Sequence, residues 1–144
     1  MAEATPGTTW LTKRVEFSSA HYYWRTEWSE EENRRVFGLC ANRDGHGHNY
    51  LLDVTVEGDA DPRTGMVINL NEVKRVIGEV VEAFDHKHLN RDTPWFRDRV
   101  PTTENLARVL WDQIAPRLPA GRLARIRLHE DEDLYVDYFG GSVA

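Results

Sequence analysis

Side chains alternate faces along an extended chain, so histidines two residues apart on a strand present both imidazoles to the same side. The stretch C-A-N-R-D-G-H-G-H-N-Y, Cys40 to Tyr50, sets up that geometry at His46 and His48. Two imidazoles facing one way suit a first-row metal. Gly45 and Gly47 leave room beside them, and Gly45 permits a turn conformation that a side chain resists, so a strand is expected to begin there. His46, His48, Tyr50, Leu52, Val54 and Val56 share one parity, while Asp53, Thr55 and Glu57 hold the other. The imidazoles therefore continue an apolar face. Val15, Phe17, Ser19 and His21 repeat the pattern earlier, with Arg14, Glu16 and Ser18 opposite, which makes His21 the natural third ligand. Three neutral imidazoles on neighbouring strands form a catalytic type of zinc set whose fourth position is left to water or substrate. The competing reading is a pair of histidines hydrogen-bonded at a strand end.

Three further features could carry chemistry. Cys40 lies six residues before His46, and a thiolate beside a cation has a lowered pKa and serves as base or nucleophile; a small buried residue is the plainer account. Asp85 and His86 are adjacent, and a carboxylate near an imidazole fixes its tautomer and raises its basicity; a helix-end pair is the plainer account. Glu130 occupies the apolar parity of its strand, where a carboxylate is costly to bury unless it meets donors. A ligand offering two parallel N–H groups would satisfy it.

The elements that position these groups follow from periodicity. A chain of 144 residues is expected to form one domain over 1–144, with residues 1–9 loose. The net charge of −6 and the lack of a Lys/Arg run argue against nucleic acid or an anionic membrane and favour a small ligand. There is no basic start followed by an apolar stretch, and no run near the ~20 apolar residues that span a bilayer, so a cytoplasmic protein is expected. The single cysteine fits a reducing compartment.

Residues 24–38 are polar, either helical or a long loop, and D-P-R-T-G (Asp61–Gly65) implies a hairpin turn between strands. Leu70, Val73, Ile77, Val80, Val81 and Phe84 fall at helical spacing, with Asn69 and Glu72 resembling a capping box. A second helix follows P-T-T-E-N, capped by Thr102 or Thr103, with Leu106, Val109, Leu110 and Ile114 as its stripe and Pro116 and Pro119 as its stop. Two alternating strands end the chain, the first around Ile126, Leu128 and Glu130 and the second around Leu134, Val136 and Tyr138. The expected fold is α+β, ββααββ, with two helices on one face of an antiparallel four-stranded sheet. Four strands cannot close a small barrel, so the open edges are expected to pair with other copies.

From Phe17 to Gly140 the chain resembles the 6-pyruvoyl tetrahydropterin synthase and 6-carboxytetrahydropterin synthase family. The resemblance rests on F-S-S-A-H, S-E-E-E-N, F-G-L-C, C-x5-H-G-H-N-Y, D-P-R-T-G-M-V-I-N-L, F-D-H-K-H-L-N, T-T-E-N and a glutamate in the penultimate strand, in that order. It implies the tunnelling fold, in which trimers close a barrel and stack as a homohexamer with active sites between subunits. It also implies zinc on His21, His46 and His48, Cys40 as the base, and Asp85 with His86 supplied by a neighbouring subunit. Glu130 would be the pterin anchor, with Thr102, Thr103 and Glu104 along the pterin pocket. Asp131 departs from the family's usual Thr after the anchor.

The implied reaction converts 7,8-dihydroneopterin triphosphate to 6-pyruvoyl tetrahydropterin and triphosphate. Five residues between Cys40 and His46, and T-T-E-N rather than P-T-S-E, match the pyruvoyl branch. The alternatives are the 6-carboxy-5,6,7,8-tetrahydropterin synthase of queuosine biosynthesis and a non-enzymatic module whose zinc is closed by Cys40 as fourth ligand.

Overall fold

Alternation of apolar and polar residues sets the first two strands against each other. In the computed structural model, which describes residues 7–141, β1 (Thr9–His21) pairs antiparallel with β2 (His46–Gly58) from Thr9↔Gly58 to His21↔His46. Of the residues expected to be loose, 1–6 lie outside the described residues, and Thr9 is already in the sheet. β4 (Arg122–Asp131) pairs with the other edge of β2, and β5 (Leu134–Tyr138) pairs with β4. These are the four antiparallel strands expected. A fifth, β3 (Lys87–His88), pairs parallel with β1 at Ser19 and Ala20, so the order is β3-β1-β2-β4-β5. Two residues are too few to carry an alternation signal, which is why the sequence did not announce β3.

The polar stretch after β1 contains a helix, α1 (Glu30–Phe37). Ser29 accepts from the N–H of Glu32, acids fill its first turn, and Arg34 and Arg35 lie in its last, as the helix dipole favours. α2 (Leu70–Glu82) buries Val73, Val76, Ile77, Val80 and Val81. Asn69 caps it by accepting from Asn71 N, while Glu72 pairs with Arg75 instead of completing a capping box. The hairpin expected at Asp61–Gly65 is not formed. Both edges of β2 are taken by β1 and β4, so the turn, closed by Asp61 N donating to Met66 O, leads into α2. α3 (Leu89–Asp92) is one turn, and α4 (Thr103–Ile114) starts at Thr102, which accepts from Asn105 N. The chain then tightens into a 3₁₀ turn over Ala115–Arg117 that contains Pro116.

α2 and α4 bury their apolar stripes in a core with Phe17, Tyr50, Leu52, Val54, Val56, Ile126 and Leu128 of the sheet. Phe17 stacks on Tyr50 with ring centroids 5.1 Å apart, and emptying such a site costs about 3–5 kcal/mol. No helix of the described residues is long and apolar enough to cross a membrane.

Candidate active site

The register of β1 and β2 assembles the first group. His21 lies directly across from His46, and His48 is one step further along the same face, across from Ser19. Potential ligand atoms of the three lie within 4.8 Å of one another, and the Nε2 atoms of His21 and His46 are 3.2 Å apart. His21 is fully buried, with its Nδ1 3.0 Å from the Tyr50 hydroxyl. A partner on Nδ1 fixes the ring and leaves Nε2 for a metal. Burial, reinforced by His46, His48 and His88, pulls the His21 pKa down to about 3, so the ring is in its neutral, ligating form at neutral pH. Three imidazoles so held fit zinc, and Cys40 does not share their metal-like spacing, which leaves the set open.

Gly45 has φ 84°, and a Cβ there would sit 3.0 Å from His88 Nε2 and 3.2 Å from the His21 carbonyl. A side chain would press on the strand that carries the ligand. Gly47 is different. Its Cβ would meet only the Ser19 carbonyl at 3.5 Å, an ordinary contact, so the room expected beside His48 is not what this glycine provides.

The second group surrounds Glu130. Its carboxylate is buried; Oε2 accepts a hydrogen bond from the Thr103 hydroxyl, and Oε1 stands 3.1 Å from His48 Nε2, which has no aligned hydrogen-bond partner. Burial and the charge of Glu130 push the Cys40 thiol upward. The Tyr23 hydroxyl is also pushed up, chiefly by burial and then by the charges of Glu130, Cys40 and Glu104. The Tyr23 N–H donates to the Cys40 carbonyl at 2.7 Å, docking the turn that carries Cys40 (Gly38–Ala41) on the end of β1. Of the T-T-E triplet, Thr103 alone bonds Glu130; Thr102 caps α4 and Glu104 is exposed in its first turn. Tyr23 lies one step past the parity of Phe17, Ser19 and His21, beyond the end of β1, and nothing in that pattern ties it to Cys40.

Asp85 and His86 form a third group on the outer edge of β1. Asp85 accepts from Ser18 N at 2.9 Å, His86 N donates to Ser18 O at 2.6 Å, and His86 Nδ1 lies 3.0 Å from Asp85 Oδ1. His86 has φ 58°, a conformation unfavourable for a residue with a Cβ, and its side chain is 82% exposed. The pair has no hydrogen bond or ion pair to Cys40, Glu130 or the three histidines among the described residues. His86 shares with His48 only the rim of a shallow recess.

Comparison with known proteins bears on this arrangement. The family model described as 6-pyruvoyl tetrahydropterin synthase matches residues 10–141. A 6-pyruvoyl tetrahydrobiopterin synthase of Poecilia reticulata is 47% identical over 132 residues, 91% of this chain and 90% of the relative. One of Pongo abelii is 44% identical over 131 residues, 90% of each chain. The solved structure of the Caenorhabditis elegans 6-pyruvoyl tetrahydropterin synthase superposes with a TM-score of 0.90 at 30% identity, covering 93% of this chain and 96% of its own.

Proposed function

The chain belongs to the 6-pyruvoyl tetrahydropterin synthase family, and from that premise we propose that it is a zinc-dependent lyase converting 7,8-dihydroneopterin triphosphate to 6-pyruvoyl tetrahydropterin with release of triphosphate. The observation that carries this reading is a pair of adjoining groups at one end of the core face. Three imidazoles with ligand atoms within 4.8 Å of one another stand beside the buried Glu130 carboxylate, 3.1 Å from His48 Nε2, and beside Tyr23, whose ring centroid is 5.0 Å from that of His21 and whose N–H holds the Cys40 turn.

His21, His46 and His48 would hold zinc, which would supply Lewis acidity to the side-chain oxygens of the substrate and so acidify the adjacent C–H bonds. The chain's own residues do the rest. Glu130 accepts the parallel N–H groups of the pterin, with its Oε2 oriented by Thr103. Cys40 takes a proton from the side chain. Burial and Glu130 keep that thiol protonated in the ligand-free protein, and pterin N–H groups on Glu130 would offset its charge and so favour the thiolate. Tyr23 donates a hydrogen bond from the wall of the same space. Loss of triphosphate by elimination, followed by tautomerisation, moves the side chain's reducing equivalents into the ring, so no outside reductant is required. Asp85 and His86 exchange a further proton in the site of an adjacent copy, within a cytosolic hexamer built as a dimer of trimers. The exposure of His86 and its unfavourable backbone support that placement.

The test is anaerobic incubation of zinc-loaded protein with the substrate, with mass spectrometry of the pterin and an acetaldehyde assay. The expected product is 6-pyruvoyl tetrahydropterin without acetaldehyde. A carboxylated pterin with stoichiometric acetaldehyde would move the protein to the queuosine branch. Loss of zinc and fold together in Cys40→Ala would instead favour the closed structural site.

A further inference from the structure

A cleft of about 120 Å³ shares no lining residue with the histidine and Glu130 groups. Arg25, Arg43, Arg97 and Arg99 line it, together with Tyr22 and Trp24; Glu27 and Asp98 are its acids. Four guanidinium groups against two carboxylates leave a positive cleft on a chain of net charge −6. Arg25 is paired with Glu27, but Arg43, Arg97 and Arg99 have no carboxylate within ion-pairing distance among the described residues. The Arg43 guanidinium lies 5.0 Å from the Trp24 ring centroid and 5.8 Å from that of Tyr22, which orients it without neutralising it.

The aromatic wall is fixed from behind. Asn90 accepts from Tyr22 N and donates to Tyr22 O, both at 2.9 Å. Fully buried Asn33 does the same for Arg25, at 2.7 and 2.9 Å. Two asparagines thus hold the backbone of Tyr22–Arg25 as a partner strand would. Asn33 spends buried hydrogen bonds on a segment that contributes little to the core. Such a wall has little conformational entropy left to lose when a ligand arrives.

We propose that this cleft is a polyphosphate site. Unpaired guanidinium forks match phosphate oxygens bidentately, and a cleft this size seats a phosphate group in place of several waters, with the rest of a chain reaching solvent. The occupant that the proposed reaction itself supplies is triphosphate, either as the tail of the bound ester or as the free product. That choice of source rests on the reading of function above. The anion site stands on the arginines alone.

Isothermal titration of the zinc-loaded protein with inorganic triphosphate tests it. Arg43→Gln/Arg97→Gln should weaken binding at least tenfold while far-UV dichroism and melting stay as in the parent, and Arg99→Gln alone should do so by a smaller factor. Binding should also weaken with added NaCl, and should persist in His46→Ala, since it is not held through zinc. A KM for dihydroneopterin triphosphate that rises in step with the triphosphate Kd assigns the cleft to the substrate's tail; an unchanged KM assigns it to free polyphosphate. Equal binding by parent and double variant, or none at millimolar triphosphate, overturns the proposal. Binding by a protein that makes no pyruvoyl pterin would overturn the proposed function and leave this site in place.

Discussion

The two faces of the central sheet treat their buried carboxylates in opposite ways. On the face without helices, each buried carboxylate has its own partners. Asp53 is held bidentately by Arg14 at 2.7 and 3.0 Å, and Glu57 accepts from Trp10 Nε1 at 2.8 Å and pairs with Arg122. Thr12 and Thr55 share a hydrogen bond at 2.8 Å, and Arg127 grips Asp137 at 2.7 and 2.9 Å. On the helix-covered face, the same alternation runs from Leu52 and Tyr50 out to His48 and His46. There Glu130 has one hydroxyl donor and an unaligned imidazole, and no arginine. Desolvated polar groups are costly unless paired. A fold that partners Asp53 and Glu57 so fully on one side and leaves Glu130 short on the other supports the proposal that Glu130 meets a ligand.

The comparison breaks most sharply at the histidines. Removal of an outer-sphere partner typically costs 10–100-fold in metal affinity, so His46→Ala, which deletes a proposed ligand, should cost more than about 100-fold and abolish turnover. Zinc content after dialysis and a pterin assay measure the two losses. The fold should survive, because His46 lies at the strand end outside the core cluster. If His46→Ala retains stoichiometric zinc, the imidazoles are a structural pair after all.

Glu130→Gln keeps shape but replaces an acceptor oxygen with a donor. The mismatch with pterin N–H groups should cost about 1–3 kcal/mol, or roughly 5- to 150-fold in pterin affinity by titration, with zinc and melting temperature nearly unchanged. Unaltered affinity would remove Glu130 from the site.

Asp53→Asn, the matching change on the other face, should do the reverse: full activity with a stability loss of about 1 kcal/mol. The figure is kept low because the Arg14 side chain is 58% exposed. In a chain of this size that is a fall of roughly 2–4 °C in Tm. The pair also has a pH signature. Arg14, first by hydrogen bonding and then by charge, holds the Asp53 carboxyl below the usual carboxylate range. A depressed folded pKa means the unfolded chain binds the proton first as pH drops. The stabilisation is thus complete above the unfolded value of about 3.9 and is lost as pH falls through the folded one. Acid titrations of parent and Asp53→Asn protein should converge below that window.

What the sequence made legible was local. The parity that aims His21, His46 and His48 in one direction, the helical stripes of α2 and α4, and the turn at Gly45 each depend on a few neighbouring residues. What it concealed depends on register. Arg14 and Asp53 are 39 residues apart and Trp10 and Glu57 are 47 apart, so their pairing exists only once β1 is aligned on β2. The alternation that marked Asp53, Thr55 and Glu57 as outward-facing was right about the face and silent on the burial. Tyr23 was hidden for another reason: its role comes from the Cys40 turn folding back on it, a contact made by a backbone hydrogen bond that no side-chain pattern reports.

Asp131 sits where the two faces meet, and the smallest effect is expected there. Pairing of β4 with β5 shifts register between His129 and Asp131, and the Asp131 carboxylate comes 3.4 Å from His48 Nδ1 while Glu130 faces Nε2. A carboxylate on Nδ1–H would fix the His48 tautomer and leave Nε2 for the proposed metal, as the Tyr50 hydroxyl would for His21. Asp131 is 56% exposed at its side chain, so water competes for that proton and the effect should fall at the low end of the outer-sphere range. Asp131→Ala is accordingly expected to weaken zinc binding by up to about tenfold in a chelator competition, with pterin affinity unchanged at saturating zinc. Asp131→Asn, which keeps an acceptor oxygen, should recover most of the loss. If both variants bind zinc as the parent does, Asp131 belongs with the solvated carboxylates of the open face, and the boundary between the faces lies at Glu130.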